Sequence, residues 1–180
     1  MYLILLIQGF LNMKKIYLGL GSNLGDREHN LKEAFARIEE HIGHTVKSSS
    51  LYETEPWGFN ANETFLNAVI EVETELNPCG VLGAILMIET LLGRTRGEKQ
   101  YSSRVIDIDI LLYNELIVDE VSLKIPHPLL HKRMFVLVPL CEIAPQLIHP
   151  VLNVTVATLL ASCKDKGIVR LHVGPQDAED

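Results

Sequence analysis

Two aspartates one residue apart, Asp107 and Asp109, stand in the run Ile106-Asp107-Ile108-Asp109-Ile110. In a strand, side chains at i and i+2 share a face, so the two carboxylates project together while the isoleucines fill the other side. Carboxylates that close repel each other and lose hydration unless a cation offsets them, and hard oxygen donors suit Mg²⁺. Just upstream, residues 94–104 hold Arg94, Arg96, Lys99 and Arg104 against one acid, Glu98, a net of +3 in a chain of net −7. Arginine forks grip phosphate oxygens bidentately, and Mg²⁺ is commonly shared between one or two carboxylates and those same phosphates. Either feature alone reads equally as a solvated charged surface. Together, a basic loop running into a two-carboxylate strand suits a metal-bound polyphosphate.

The aromatic residues form the second candidate group. Only 11 of 180 residues are aromatic, yet Trp57, Phe59, Phe65, Tyr101 and Phe135 lie in loops or beside polar motif residues. Phe65-Leu66-Asn67 puts a ring and an amide on one strand face, so a flat heterocycle could stack on the ring while Asn67 offers a donor and an acceptor. His127, between Pro126 and Pro128, is a candidate phosphate or ring contact, with a structural role as its alternative. The glycines of 19–25 imitate a dinucleotide fingerprint, but one residue too many precedes the third glycine and the following acids fall inside a helix. The chain has no G-x-x-x-x-G-K-[ST] phosphate loop and no evident nucleophile–base pair.

These side chains need a frame. A chain of 180 residues, 47% hydrophobic and 22% charged, fits about one globular domain with a core of its own. Its acidic balance and pI near 5.5 argue against a nucleic-acid partner. Cys79, Cys141 and Cys163 lack metal-site spacing, sit in apolar runs and read as buried free thiols in a reducing, cytoplasmic setting. Residues 2–10 are apolar but too short to span a bilayer, and without a basic n-region or a small-residue cleavage site they are not expected to be a signal peptide. Residues 1–12 are expected to be dispensable, with Met13 a second possible start, 13–163 to form the domain, and 164–180 a C-terminal extension with a frayed acidic end.

Hydrophobic periodicity predicts a strand at 15–19, a helix capped by Asp26, strands over 46–54 and 65–75, and a helix from Asn77-Pro78 to Gly93. Further strands are expected over 104–113, 116–119 and 122–125. Helices are expected over 129–143, interrupted near Pro139, and over 154–163. The order β-α-β-β-α-β predicts an α+β fold with a ferredoxin-like split βαβ core, a mainly antiparallel sheet with helices packed on it.

The motifs Gly21-Ser22-Asn23, Tyr52-x-Thr54-x-Pro56-x-Gly58 and Phe65-Leu66-Asn67-Ala68 are followed by Ile88-Glu89-x-x-x-Gly93-Arg94-x-Arg96 and Arg104-x-x-Asp107-x-Asp109-Ile110-Leu111. Pro126-His127-Pro128, Arg133-x-Phe135 and Pro139-Leu140-x-Glu142-Ile143-Ala144-Pro145 complete the series. In order and spacing this resembles the 6-hydroxymethyl-7,8-dihydropterin pyrophosphokinases of folate biosynthesis, over about residues 14–162. The resemblance implies ATP as co-substrate, two Mg²⁺ ions, and transfer of a pyrophosphoryl group to the pterin's hydroxymethyl oxygen with release of AMP. It implies that Asp107 and Asp109 hold both ions and that Arg94 and Arg104 are catalytic. Nucleotide contacts are implied for Glu89, Arg94, Arg104, Ile110, His127 and Arg133. The pterin would lie between Phe65 and Phe135, bonded by Asn67, with backbone contacts from Thr54 and Trp57 and a lid contact from Tyr101. Tyr101-Ser102-Ser103 stands where many members have Trp-Gly-Pro, and Leu86 replaces a commonly polar position near the adenine. A monomer without nucleic-acid or membrane partners is expected. Two rivals are weaker. Nucleotidyltransferases pair a Gly-Ser turn with D-x-D at short range, whereas 85 residues separate Ser22 from Asp107. A non-enzymatic regulatory module would not need three arginines and two acids converging on one edge.

Overall fold

The computed structural model describes residues 13–58, 63–94 and 104–174. Strand β1 (Lys14–Ser22) leads through a turn to helix α1 (Arg27–His41), whose cap Asp26 accepts from the His29 N–H at 3.0 Å. The stretch expected as one strand over 46–54 is two, β2 (His44–Ser48) and β3 (Tyr52–Thr54). Both pair antiparallel with β4 (Phe65–Thr74). Serines cause the break: Ser49 Oγ takes the Val69 N–H at 3.0 Å and donates to the Ser50 carbonyl at 2.8 Å, an alternative to the regular ladder. Helix α2 (Pro78–Leu91) begins at the cap Asn77 with proline in its first turn, and β5 (Asp107–Tyr113) completes the unit.

The strand order β5-β1-β4-β3, with β2 also on β4 and the two helices as crossovers, is the ferredoxin-like arrangement. Helices α1 and α2 bury Leu31, Ile38, Val81, Ile85 and Ile88 against Leu18, Leu20, Leu66, Ile70, Ile108 and Ile110 of the sheet. The other face holds Tyr17, Val69, Leu111 and Leu112, packed on α3 (Met134–Ile143) and α4 (Val156–Ser162). Leu111 and Leu112 both reach that side because the β1–β5 register slips by one residue beside Tyr17.

Three observations differ from the sequence expectation. The helix expected over 129–143 breaks not at Pro139, which sits inside α3, but at Arg133, whose extended backbone (φ −122°, ψ 110°) separates a short 3₁₀ turn (Leu130–Lys132) from α3. Beyond residue 163, where the domain was expected to end, β8 (Val169–Leu171) adds an edge strand antiparallel to β3. The short ribbon of β6 (Val118–Asp119) and β7 (Lys124–Ile125) forms where strands were expected, but Cys79, expected to be buried, is exposed because it sits in the first turn of α2. Among the described residues, no helix is long and apolar enough to cross a membrane.

Candidate active site

On the α3 face, the sheet end formed by the close of β1 and the starts of β4 and β5 stays open as a cavity of about 700 Å³. Its floor is cleared by two glycines of the central strand. Gly21 lies opposite Asp107 on one side and Asn67 on the other, while Gly19 lies opposite Asp109 and Val69. A Cβ on Gly21 would stand 2.9 Å from Asn67 Oδ1, closer than real contacts allow. The space above β1 therefore exists because those positions carry no side chain.

One end of the cavity is charged. Arg94 Nη1 and Arg104 Nη1 each approach Asp107 at 2.6 Å, one on either carboxylate oxygen. Behind them, buried Glu89 pairs with Arg94 and accepts the Ile108 N–H at 2.9 Å. Burial pushes the Glu89 carboxyl up, and Asp107 adds to this, while the Ile108 amide and Arg94 oppose it. Local geometry delivers these arginines. Gly93, at φ +87°, ends α2 with the Gly93 and Arg94 amides bonded to Thr90 and Glu89 carbonyls, which sets Arg94 above Glu89. At the far end of the basic loop, Asn23 Oδ1 takes the Arg104 N–H at 2.7 Å and the Asn23 N–H donates to the Arg104 carbonyl at 3.2 Å. The turn after β1 thus clips the chain where it enters β5.

Asp109 stands beside these groups, its carboxylate partly exposed to the cavity. Loss of hydration and the neighbouring Asp107 push its carboxyl above the ordinary range, against the pull of Arg133 and Arg104. His127 Nε2 lies 3.9 Å from Asp109 Oδ2. Burial and Arg133 hold the imidazole down at about 4, so it is neutral at pH 7. Its Nδ1 accepts the Leu129 N–H at 3.1 Å, which leaves the proton on Nε2 as a donor toward the cavity.

The other end is aromatic. Asn67 Nδ2 donates to Thr54 Oγ1 at 2.7 Å, both residues being buried, so the amide is held with Oδ1 over Gly21. Phe65, Trp57 and Phe135 line the walls, with the Trp57 and Phe135 ring centroids 6.4 Å apart. The Arg133 guanidinium sits 4.7 Å from the Trp57 centroid and 5.5 Å from that of Phe135. Its buried Nε has no hydrogen-bond partner among the described residues.

The sequence matches the profile of the 7,8-dihydro-6-hydroxymethylpterin-pyrophosphokinase (HPPK) family over residues 17–145. It is 46% identical over 131 residues to the 2-amino-4-hydroxy-6-hydroxymethyldihydropteridine pyrophosphokinase of Bacillus subtilis, covering 72% of this chain and 78% of that protein. The chain belongs to the HPPK family. The enzyme of the same name from Methylorubrum extorquens is 43% identical over 161 residues, covering 89% of this chain and all of that one. A solved HPPK-DHPS chain in complex with substrates superposes with TM-score 0.68 at 16% identity, over 84% of this chain. A Plasmodium falciparum HPPK-DHPS superposes equally at 20% identity, over 83%. The present chain spans only 43% of the length of either fused protein. As an HPPK, the chain transfers pyrophosphate to hydroxymethyldihydropterin, a step of folate biosynthesis.

Against that HPPK background, the cavity gathers Thr54, Trp57, Phe65, Asn67, Arg94, Arg104, Asp107, Asp109, His127, Arg133 and Phe135. Tyr101 lies outside the described residues. Ile110 does not line the cavity: its side chain is buried in the core under α1 and α2, because it alternates with Asp109. Glu89 is also absent from the lining and stands behind Arg94. The Trp57 ring stands against Phe135 and Arg133, and the Thr54 hydroxyl orients Asn67. Gly19, Gly21 and Asn23 were noticed in the sequence only as a glycine pattern and a motif, without a place in the site, and Lys124, a lining residue that pairs with Asp119, was missed. The glycine spacing of 19–21 was the available signal for the floor. Nothing local in the sequence marks Lys124, which the β6–β7 ribbon carries to the site.

Proposed function

We propose that this HPPK binds ATP with its phosphates toward Asp107, Asp109, Arg94, Arg104, His127 and Arg133, and the dihydropterin between Phe65 and Phe135. The observation that carries this reading is the polarity of one cavity: two carboxylates and two arginines gather toward one end, a fixed amide among rings lies at the other, and Arg133 stands beside those rings.

Among the described residues no three His, Cys, Asp or Glu side chains gather to hold a metal ion. Two adjacent carboxylates nevertheless suit Mg²⁺ that arrives with nucleotide, since this ion keeps waters and takes phosphate oxygens as its remaining ligands. Asp107 and Asp109 would hold two such ions, which when bound neutralise the polyphosphate and lower the barrier to attack on it.

Arg94 and Arg104, now paired with Asp107, are positioned to exchange that carboxylate for phosphate oxygens, with Glu89 retaining Arg94 at the site. His127 Nε2–H donates to a phosphate oxygen without adding charge. Asn67 and the ring walls hold the pterin so that its hydroxymethyl oxygen faces the β-phosphorus. That oxygen forms the new P–O bond, its proton passes to solvent, and the bond from the β-phosphorus to the α–β bridging oxygen breaks, so AMP leaves. Transfer of this kind rests on positioning and charge stabilisation and needs no side-chain nucleophile. We further propose that the enzyme is a monomer, that residues 1–12 are dispensable and that it works in the cytoplasm. AMP release measured with and without 6-hydroxymethyl-7,8-dihydropterin tests the assignment, and AMP formation independent of the pterin would overturn it.

A further inference from the structure

We propose that Asp165 is a positioning residue for the pterin end of the site, so that the segment after α4, beyond the matched family region, is part of the working enzyme. The inference rests on the reading that Arg133 and Phe135 contact substrates.

Helix α3 starts between those two residues. Arg133 occupies its cap position, but makes no side-chain capping bond, and its guanidinium turns to the Trp57 and Phe135 rings. The first N–H groups of any helix lack intrahelical partners, so a helix whose cap side chain is engaged elsewhere needs an acceptor from another element. Asp165 is that acceptor. Its Oδ2 takes the Met134 N–H at 2.9 Å, and its Oδ1 takes the Gly167 N–H at 2.9 Å, so both oxygens are engaged. A carboxylate at this end also suits the positive pole of the helix.

The carboxylate is fixed from both sides. Before it, Leu160 and Cys163 pack on the core that includes α3. After it, β8 pairs with β3, where Val169 stands opposite Thr54, and the His172 N–H donates to the Leu51 carbonyl at 2.8 Å. The His172 ring meets Glu28 of α1 at 2.7 Å. Thr54 is the residue that orients Asn67. One strap therefore braces both walls of the aromatic end, β3 by strand pairing and the first turn of α3 by a cap. Without the cap, that turn samples unwound states in which Arg133 and Phe135 leave the cavity wall, and the apparent affinity falls with the competent fraction.

The test uses Asp165→Ala and Asp165→Asn in the full chain, with 6-hydroxymethylpterin as the calorimetric probe. Trp57, the only tryptophan, supplies an emission signal next to Arg133. Asp165→Ala is expected to weaken probe binding by roughly three- to tenfold, the order of one lost cap, and to shift the Trp57 emission of the ligand-free protein. Asp165→Asn, whose one acceptor oxygen can keep the Met134 bond at the expense of the Gly167 bond, restores most of both. A lower melting temperature with unchanged affinity and emission would make Asp165 a fold cap only and overturn the inference. Phe135→Ala, run in parallel, separates the two readings: if it weakens binding while Asp165→Ala does not, the inference alone falls. If Phe135→Ala leaves binding unchanged, the pterin reading falls and takes the inference with it. Should Asp165→Ala unfold, Met134→Pro/Asp165→Ala replaces the donor with a residue suited to a first helical turn. Recovered affinity then supports the inference, and a folded protein that binds weakly refutes it.

Discussion

At the scale of the residue, the site is defined by charges that do not balance locally. Asp107 is held between two arginines, whereas Asp109 faces a neutral imidazole. Changing either aspartate to asparagine should abolish turnover. Asp109→Asn should leave the fold intact because it lessens repulsion on that strand face, whereas Asp107→Asn also removes the pairings with Arg94 and Arg104. Near-normal steady-state turnover of either variant in magnesium would refute their role as metal ligands. The raised Asp109 carboxyl has a second consequence. A carboxylate whose pKa is higher folded than unfolded binds the extra proton in the folded state, so it costs stability as pH rises through that window and costs nothing below it. Asp109→Asn should therefore raise the melting temperature of the metal-free protein at pH 8, with the gain shrinking toward zero as pH falls to 3. A gain that grows on acidification would mean that the carboxylate is stabilised in the fold. Asp107, Asp109, Arg94 and Arg104 were legible from their spacing, whereas Glu89 and Arg133 entered only through the family resemblance and Lys124 not at all. The state of His127 was not legible, because it depends on burial and on Arg133, six residues away in sequence and adjacent only in the fold.

At the scale of the element, strand β1 contributes by what it lacks. Gly21→Ala places a Cβ 2.9 Å from Asn67 Oδ1, an atom held by the bond from Asn67 to Thr54 and unable to retreat without losing it. At Gly19 the nearest atom is the Leu111 side-chain end at 3.3 Å, which can rotate away. Gly21→Ala should cost at least tenfold in pterin affinity, roughly the scale of overpacking a tight site, and Gly19→Ala much less. Calorimetry that ranks the two in the opposite order would place the pterin elsewhere on the sheet. Much of the element order followed from periodicity and caps: Asp26, Asn77-Pro78 and Gly93 mark the two crossover helices where the structure has them. The Ser49 interruption of β2 and β3 and the helix break at Arg133 were not legible. In both places the outcome is set by a partner distant in sequence, Val69 for the serine hydroxyl and the Trp57 ring for the arginine. The edge strand β8 escaped for the same reason, since three residues carry no period and find their place only against β3.

At the scale of the whole molecule, the question is which phosphorus the cavity presents to the pterin alcohol. A kinase that moves one phosphoryl group breaks the β–γ bridge, leaves ADP, and needs positive charge concentrated there. Here, positive charge is spread along the cavity: Arg94 and Arg104 flank Asp107, Arg133 lies toward the rings, and Lys124 stands on the opposing ribbon. With Asp107 and Asp109 facing the same space, that distribution can accompany a full triphosphate rather than its terminal bridge alone. Arg133, between the charged and aromatic ends, is placed to contact a group passing from one substrate to the other. Breaking the α–β bridge then sends both outer phosphates to the pterin and leaves AMP. A single turnover followed by phosphorus NMR should give AMP and the pterin diphosphate in equal amounts, with neither ADP nor free pyrophosphate as a primary product. A pterin monophosphate appearing together with ADP would mean that the terminal phosphorus is the one presented. The arginines would then have to crowd toward a single bridge rather than spread along the cavity.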